Sequence, residues 1–335
     1  LDALGQPLTT DQRGPGFPRI RGSAVDIGAV EASVGCLPFP RSVADSTELD
    51  DAIGCFNEQS APGEYVITLS DDIALDASTP AIDNADPGVS LRIEGAGHTV
   101  DGQNIPGVRP FTIQRNTIVV MQAITITRGA GPDADGGGGI LNLGALTVSH
   151  SNILSNTTAN WGGGITNVDG GALNLIHSTL SGNETTAAVG LGGGIFSNST
   201  VHVVNSTLRD NSAAGGGAIF SDKKALSVVN STIHGNNGPF GGGGIINAGG
   251  GTVSVVSSTL SDNHTTDAGG AILNSDNSTA SIINSTLSGN SAGSGGGLFT
   301  SGVLVTLDNT IIANSLGGGD CVRLSGALDA SHSLI

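Results

Sequence analysis

At 335 residues the chain has room for two ordinary domains, and its formal net charge is −17, with only two lysines, Lys223 and Lys224, beside ten arginines. That balance excludes nucleic acid and anionic membrane surfaces as partners, because both need basic patches, and no apolar run is long enough to span a bilayer. Fifty-four glycines and 3% aromatics would mark low complexity elsewhere, but here the glycines recur at fixed places among β-branched residues.

Residues 1–33 stand apart from the rest, with Asp11-Gln12-Arg13-Gly14, Pro18-Arg19 and Val25-Asp26-Ile27-Gly28-Ala29-Val30-Glu31. There is neither a signal peptide nor an initiating Met, so the chain reads as a mature or excised piece. Over 34–60 one helix is expected, from Val43 to Asn57: Leu49, Ile53 and Phe56 fall at helical spacing, and Thr47-x-x-Asp50 resembles a capping box. Cys36 and Cys55 flank this segment, and a disulfide between them fits the sequence no better or worse than two free thiols. Cys321 reads as free rather than as a metal ligand, with an intermolecular bridge as the lesser alternative. A strand follows over Tyr65–Leu69, then coils over 91–102 and 111–127.

From there one unit keeps returning. It is clearest as Ala-Leu-Ser-Val-Val-Asn-Ser-Thr-Ile-His-Gly-Asn, ending at Asn236 and followed by Gly241 to Gly244 and Ile245-Ile246-Asn247. The closing asparagines are Asn156, Asn183, Asn211, Asn236, Asn263 and Asn290, 25 to 28 residues apart. Within each unit the apolar residues alternate, as in Leu226 and Val228 or Val253 and Val255, which is the period of short half-buried strands. The Asn-Ser-Thr corners and glycine runs supply turns. Two or three strands and as many turns per unit make one coil of a parallel β-helix, with the recurring asparagines as an internal side-chain ladder. Propeller blades need longer repeats and aromatic signatures that are missing. The expected fold over 61–335 is therefore an all-β, right-handed parallel β-helix of about ten coils of about 26 residues, capped by the helix.

The tail motif, the helix ahead of the first coil, the Leu91–Gly102 segment and the glycine repeats together resemble large secreted bacterial β-helix proteins. These carry polymorphic-outer-membrane-protein-like repeats, often beside CSLREA or choice-of-anchor segments. In that family the Asp-Gln-Arg-Gly…Asp-Ile-Gly-Ala-x-Glu tail closes a domain, whereas here it comes first. The resemblance implies an extracellular or cell-surface protein. The permuted order fits a slice of a tandem array. It also fits head-to-tail assembly, in which Asp11, Arg13, Asp26 and Glu31 of one subunit complete the open C-terminal coil of another. The second is the expectation.

Chemistry is harder to find in the sequence. Lys223-Lys224 reads as a solvated turn and Arg209-Asp210 as a surface ion pair, with Asp262 in the corresponding place two coils on. His150 and His177 share a repeat position that Asn205, Asn230 and Asn284 fill later, so a polar slot explains them better than a metal. Asp71, Asp72, Asp133 and Asp135 are the candidates for adventitious Ca²⁺, and no other cofactor is implied. The glycine runs lack the Lys-Ser/Thr of a phosphate loop. Trp161 stands alone and reads as a loop anchor. Eight Asn-x-Ser/Thr sequons occur, at Asn156, Asn183, Asn198, Asn205, Asn230, Asn263, Asn277 and Asn284; most fall in repeat slots that structure explains. The sequence thus predicts a non-catalytic fibre or adhesin segment whose partners are its own copies and, less directly, surface glycans. The rival is a lyase or hydrolase of acidic glycans, which would need a carboxylate cluster on neighbouring coils. A passive glycan-binding module would need an aromatic stripe.

Overall fold

The computed structural model describes residues 20–21, 24–25 and 36–335 other than 133. Ile20–Arg21 and Ala24–Val25 pair as a small antiparallel hairpin. Asp11, Arg13, Asp26, Glu31 and Asp133 lie outside the described residues, and with them the proposed donor tail and one Ca²⁺ candidate.

The rest is a parallel β-solenoid of about 11 turns with about 27 residues each, one turn more than the repeat count suggested. Each coil crosses three sheets of 12, 10 and 9 strands, here sheets 1, 2 and 3. In one coil, Ala225–Val229 lies in sheet 1, Thr232–His234 in sheet 2 and Ile245–Ala248 in sheet 3, and Thr252–Val256 begins the next coil in sheet 1. Period-two alternation sends every second side chain inward. Leu146, Leu173, Val201, Leu226, Val253, Ala280 and Val305 form one buried column in strict register.

The corner between sheets 1 and 2 is a single residue with φ near +50°: His150, His177, Asn205, Asn230, Ser257 and Asn284. Asn, Asp and His tolerate that left-handed backbone better than most residues. This is the physical reason His and Asn predominate in the slot. The serine after it is buried, and its hydroxyl accepts the backbone N–H of the equivalent serine one coil earlier, at 3.1 Å from Ser151 N to Ser178 Oγ and from Ser231 N to Ser258 Oγ. The corner that reads as a turn in sequence is thus also a ladder.

The asparagine ladder lies at the exit of sheet 2. All six asparagines are fully buried. Nδ2 of each donates to Oδ1 of the next at 2.9–3.0 Å, from Asn156 through to Asn290. Each acceptor oxygen also takes the backbone N–H of the preceding asparagine. A third ladder follows sheet 3, from Asn142 to Asn167 and from Asn247 to Asn274, both 2.7 Å. It breaks between Ser221 and Asn247, register partners whose Oγ and Oδ1 are buried without a hydrogen bond.

The glycine runs are the turn from sheet 2 to sheet 3. Gly162, Gly192, Gly216 and Gly269 have φ between +59° and +71°. A Cβ on Gly163 would lie 2.5 Å from the carbonyl oxygen of Gly193 on the next coil, so the stacked turns leave no room for a side chain.

The helix runs Ser46–Asn57, three residues shorter than expected, because Arg41–Val43 is a strand of sheet 1. Its N-cap is Asp45, which accepts from Glu48 N at 2.9 Å, while Glu48 reaches back to Ala44 N at 2.8 Å. The capping carboxylates thus lie two residues before the expected Thr47 and Asp50. Leu49, Ala52, Ile53 and Phe56 are buried over the first coil. A disulfide ties Cys36 to Cys55, Cys321 is a free thiol, and burial raises its pKa. No helix among the described residues is long and apolar enough to cross a membrane.

Two expectations follow from these contacts. Asn236→Ala strands donors and acceptors on both neighbouring coils and should cost about 3 kcal/mol. Ser221→Asn should mend the third ladder and add about 1 kcal/mol; thermal melts of the two variants should move in opposite directions.

Asp50 gives a third. Burial first, and then the charges of Asp51 and Asp76, push its pKa up to about 6, and its Oδ1 has no hydrogen-bond partner. Between the ordinary carboxylate range and about 6 the folded chain holds a proton that the unfolded chain has released. Stability therefore falls as pH rises through that window. The group is half exposed, so screening reduces the effect, and Asp50→Asn should stabilise the cap by about 1 kcal/mol near neutral pH. Hydrogen exchange of the helix should show that gain shrink as pH falls from about 6 and vanish below about pH 3, where Asp50 is protonated in both states.

Candidate functional site

Sheet 3 is the floor of a cleft. On one side stand the glycine-rich turns that enter the sheet, and on the other the polar turns that leave it. Near the N-terminal end these walls enclose about 380 Å³, lined by Gln114, Asp135, Leu141, Trp161, Asp169, Phe196 and Asn198 among others. Asp135 sits on the turn before Ile140–Asn142, and Trp161 on the equivalent turn one coil later. Across the floor, Asp169 and Asn198 sit on the turns after Ile165–Asn167 and Ile195–Ser197.

Each wall is tied down. Arg109, 6% exposed, donates from Nε to the Gly137 carbonyl at 2.9 Å and from Nη2 to the Gly136 carbonyl at 2.7 Å, holding the turn that carries Asp135. Burial draws the Arg109 pKa down and the negative charge of Asp135 opposes that shift. A guanidinium stays protonated regardless, so a fixed positive charge lies behind the Asp135 carboxylate. Trp161 is held by its carbonyl, which accepts from Thr166 Oγ1 at 2.7 Å. Its indole stacks on Phe196, centroids 5.5 Å apart, and Phe196 stacks on Phe220 at 5.5 Å.

On the opposite wall Asp169 has φ +60° and donates its N–H to Asn198 Oδ1 at 3.1 Å. Its carboxylate accepts from Arg115 Nη2 at 2.8 Å, and its carbonyl from Arg115 Nη1 at 2.9 Å. The cleft therefore offers two carboxylates on facing walls, side-chain amides and an aromatic face that is 40% exposed at Trp161.

Several sequence expectations change here. Trp161 is not a lone anchor, because register brings Phe196 and Phe220 into line with it on outward positions of sheet 3. Asp135 and Asp169, which sequence spacing does not connect, line one cleft. They come from turns on different edges of one sheet, so they share no repeat phase. Asp169 and Arg115 carry no distinguishing signal in sequence, because equivalent turns elsewhere also hold charged residues, among them Lys223 and Asp276.

Other candidates do not converge. Asp71 caps the N–H of Asp72, and Asp72 accepts from Thr99 N at 2.8 Å. No group of three or more potential metal ligands occurs among the described residues. His150 and His177 stack at 4.9 Å, and Asn205 Nδ2 meets His177 Nε2 at 3.3 Å. Arg209 pairs with Asp210 at 2.6 Å and Lys223 with Asp222 at 2.7 Å. The sequons at Asn156, Asn183 and Asn263 are buried in the ladder.

No protein-family model and no curated protein sequence matches the chain. Among solved structures it is similar to the A-module of the mannuronan C-5 epimerase AlgE6 from Azotobacter vinelandii, with a TM-score of 0.52 and 13% identity. The match covers 87% of this chain and 95% of that one. At this identity the likeness shows the fold, a parallel β-helix. It also corrects the non-catalytic expectation: the same fold, over nearly its whole length, is the scaffold of an enzyme, so a long repetitive solenoid is no ground for excluding catalysis.

Removing the clamp under the Asp135 turn tests the architecture of the cleft. Arg109→Met leaves two turn carbonyls unpaired and should cost about 2 kcal/mol locally. Faster hydrogen exchange over residues 134–138, with sheet 1 unchanged, is the expected readout.

Proposed function

We propose that the protein is a glycan-active enzyme that binds an acidic polysaccharide in the cleft over sheet 3. The observation that carries the reading is the convergence of Asp135 and Asp169 on facing walls beside the Trp161 indole. The likeness in fold to an epimerase named for a polyuronate supports it at the level of scaffold. Aromatic rings pack well against the apolar faces of sugar rings while amides reach their hydroxyls, and Trp161, Gln114 and Asn198 supply both.

Two carboxylates flanking one bond are the donor set of glycoside hydrolysis, one giving a proton to the leaving oxygen and the other activating water or attacking the sugar. Among the described residues that line the cleft the titratable side chains are Asp135 and Asp169, a carboxylate set that suits hydrolysis. In this reading Asp135 and Asp169 are the catalytic pair. Arg115 fixes the Asp169 side chain, and Arg109 fixes the turn that presents Asp135. The Cys36–Cys55 disulfide supports work in an oxidising compartment outside the cytoplasm.

The test is incubation of the purified chain with a panel of uronate-containing polysaccharides. New reducing ends mark hydrolysis, an unsaturated chromophore marks elimination, and a changed sugar configuration by NMR marks epimerisation. Asp135→Asn and Asp169→Asn should each lower turnover by about 100-fold or more, with Asp267→Asn on another turn as the unaffected control. A wild-type chain that converts none of the panel sinks the proposal.

A further inference from the structure

The cleft does not end at Asp169. At the corner where sheet 3 gives way to sheet 1 there is a second depression of about 470 Å³, lined by Arg115, Ile118, Leu143, Ala145, Asp169 and Ala172 among others. Leu143 and Asp169 line both spaces, so the two adjoin. We propose that this corner is a carboxylate-binding subsite, that Arg115 selects a uronic acid residue there, and that the bound glycan crosses the solenoid from sheet 3 over the turn rather than lying only along its axis. The inference deepens the acidic-glycan reading and rests on it.

The Arg115 guanidinium has five N–H donors. Two are used, one on the Asp169 carboxylate and one on its carbonyl, and these hold the planar group in place while leaving donors free at its exposed edge. Its side chain is 58% exposed. The turn that anchors it is pinned in turn: Asp169 N donates to Asn198 Oδ1 and Gly170 N to Ser199 Oγ at 3.0 Å, both on the next coil. An arginine already ordered loses little side-chain freedom when a ligand arrives. A planar guanidinium also matches a carboxylate with two parallel hydrogen bonds, which a lysine cannot reproduce.

The floor suits a sugar ring. Ile118, Ala145 and Ala172 are register partners on successive coils of sheet 1. Ile118 is 47% exposed, and the two alanines leave open space above the sheet. A flat apolar floor beside a fixed cation fits a pyranose whose ring lies on the floor and whose carboxylate meets the cation. A neutral hexose would use the floor and forgo the cation.

The experiment compares short oligogalacturonates with the same oligomers after reduction of their carboxyl groups, by titration calorimetry on the full chain. Wild type should bind the acidic series about 10-fold more tightly. Arg115→Gln should erase that preference while leaving affinity for the reduced series unchanged, and Arg115→Lys should restore only part of it. Ala145→Phe fills the corner without touching the guanidinium and should weaken the acidic series as well, with an unchanged melting temperature showing that the fold is intact. Equal binding of the two series by wild type, no binding of either, or a preference that survives Arg115→Gln overturns the subsite. Conversion of a polysaccharide by a wild type that binds the acidic and reduced series equally would leave the enzyme reading standing and remove this one. Arg115-dependent binding without any conversion would do the reverse.

Discussion

Everything in this molecule depends on one constraint: each coil must present its backbone N–H and C=O groups to the next in unbroken register. Main-chain bonds satisfy the strands. The corners are the difficulty, because a chain that turns inside a solenoid buries polar groups that strands would otherwise pair. The asparagine ladder meets that demand at the exit of sheet 2. Each amide gives a hydrogen to the next amide and another to a carbonyl, and takes one from the backbone of the preceding asparagine. Any slip of one residue would turn inward-facing valines outward and break the ladder at the same stroke. Register is therefore fixed twice, by apolar columns and by a polar one.

That rigidity is what makes a site possible on a surface of short turns. Because the interior is nearly identical from coil to coil, chemical variety is confined to outward positions and to the turns flanking sheet 3. The asparagine and glycine positions recur with little freedom, whereas Asp135, Trp161, Asp169 and Asn198 occupy positions with no interior role. The scaffold sets the spacing of these groups, and Arg109, Arg115 and Thr166 then fix their orientation. This is the arrangement a precise site needs, with each functional group held by a neighbour that is itself held by the coil.

The same division explains what the sequence disclosed. Alternation in Leu226 and Val228, the recurring asparagines and the glycine runs are imposed by the interior, so they repeat and can be read. The helix was legible from Leu49, Ile53 and Phe56, but its start was not, because Arg41–Val43 joins sheet 1 and displaces the cap to Asp45. The cleft was illegible for the opposite reason. Asp135 and Asp169 lie in turns of different coils on opposite edges of sheet 3, and no period links them. Phe196 and Phe220 carry no signal in the sequence, since only the register of sheet 3 shows that they stack.

Net charge is the remaining puzzle, since an acidic chain would be expected to repel an acidic glycan. Distance resolves it. At physiological ionic strength the field of exposed charges is screened beyond about 8 Å, so most of the −17 formal charge acts on encounter and little on a bound sugar. What a sugar in the cleft meets is local: Asp135 with the Arg109 cation behind it, and Asp169 already paired with Arg115. Each carboxylate thus has a counter-charge in its surroundings, a direct ion pair for Asp169 and a nearby buried cation for Asp135. Arg109 and Arg115 thus set the local electrostatics of the cleft in which the proposed glycan would be held.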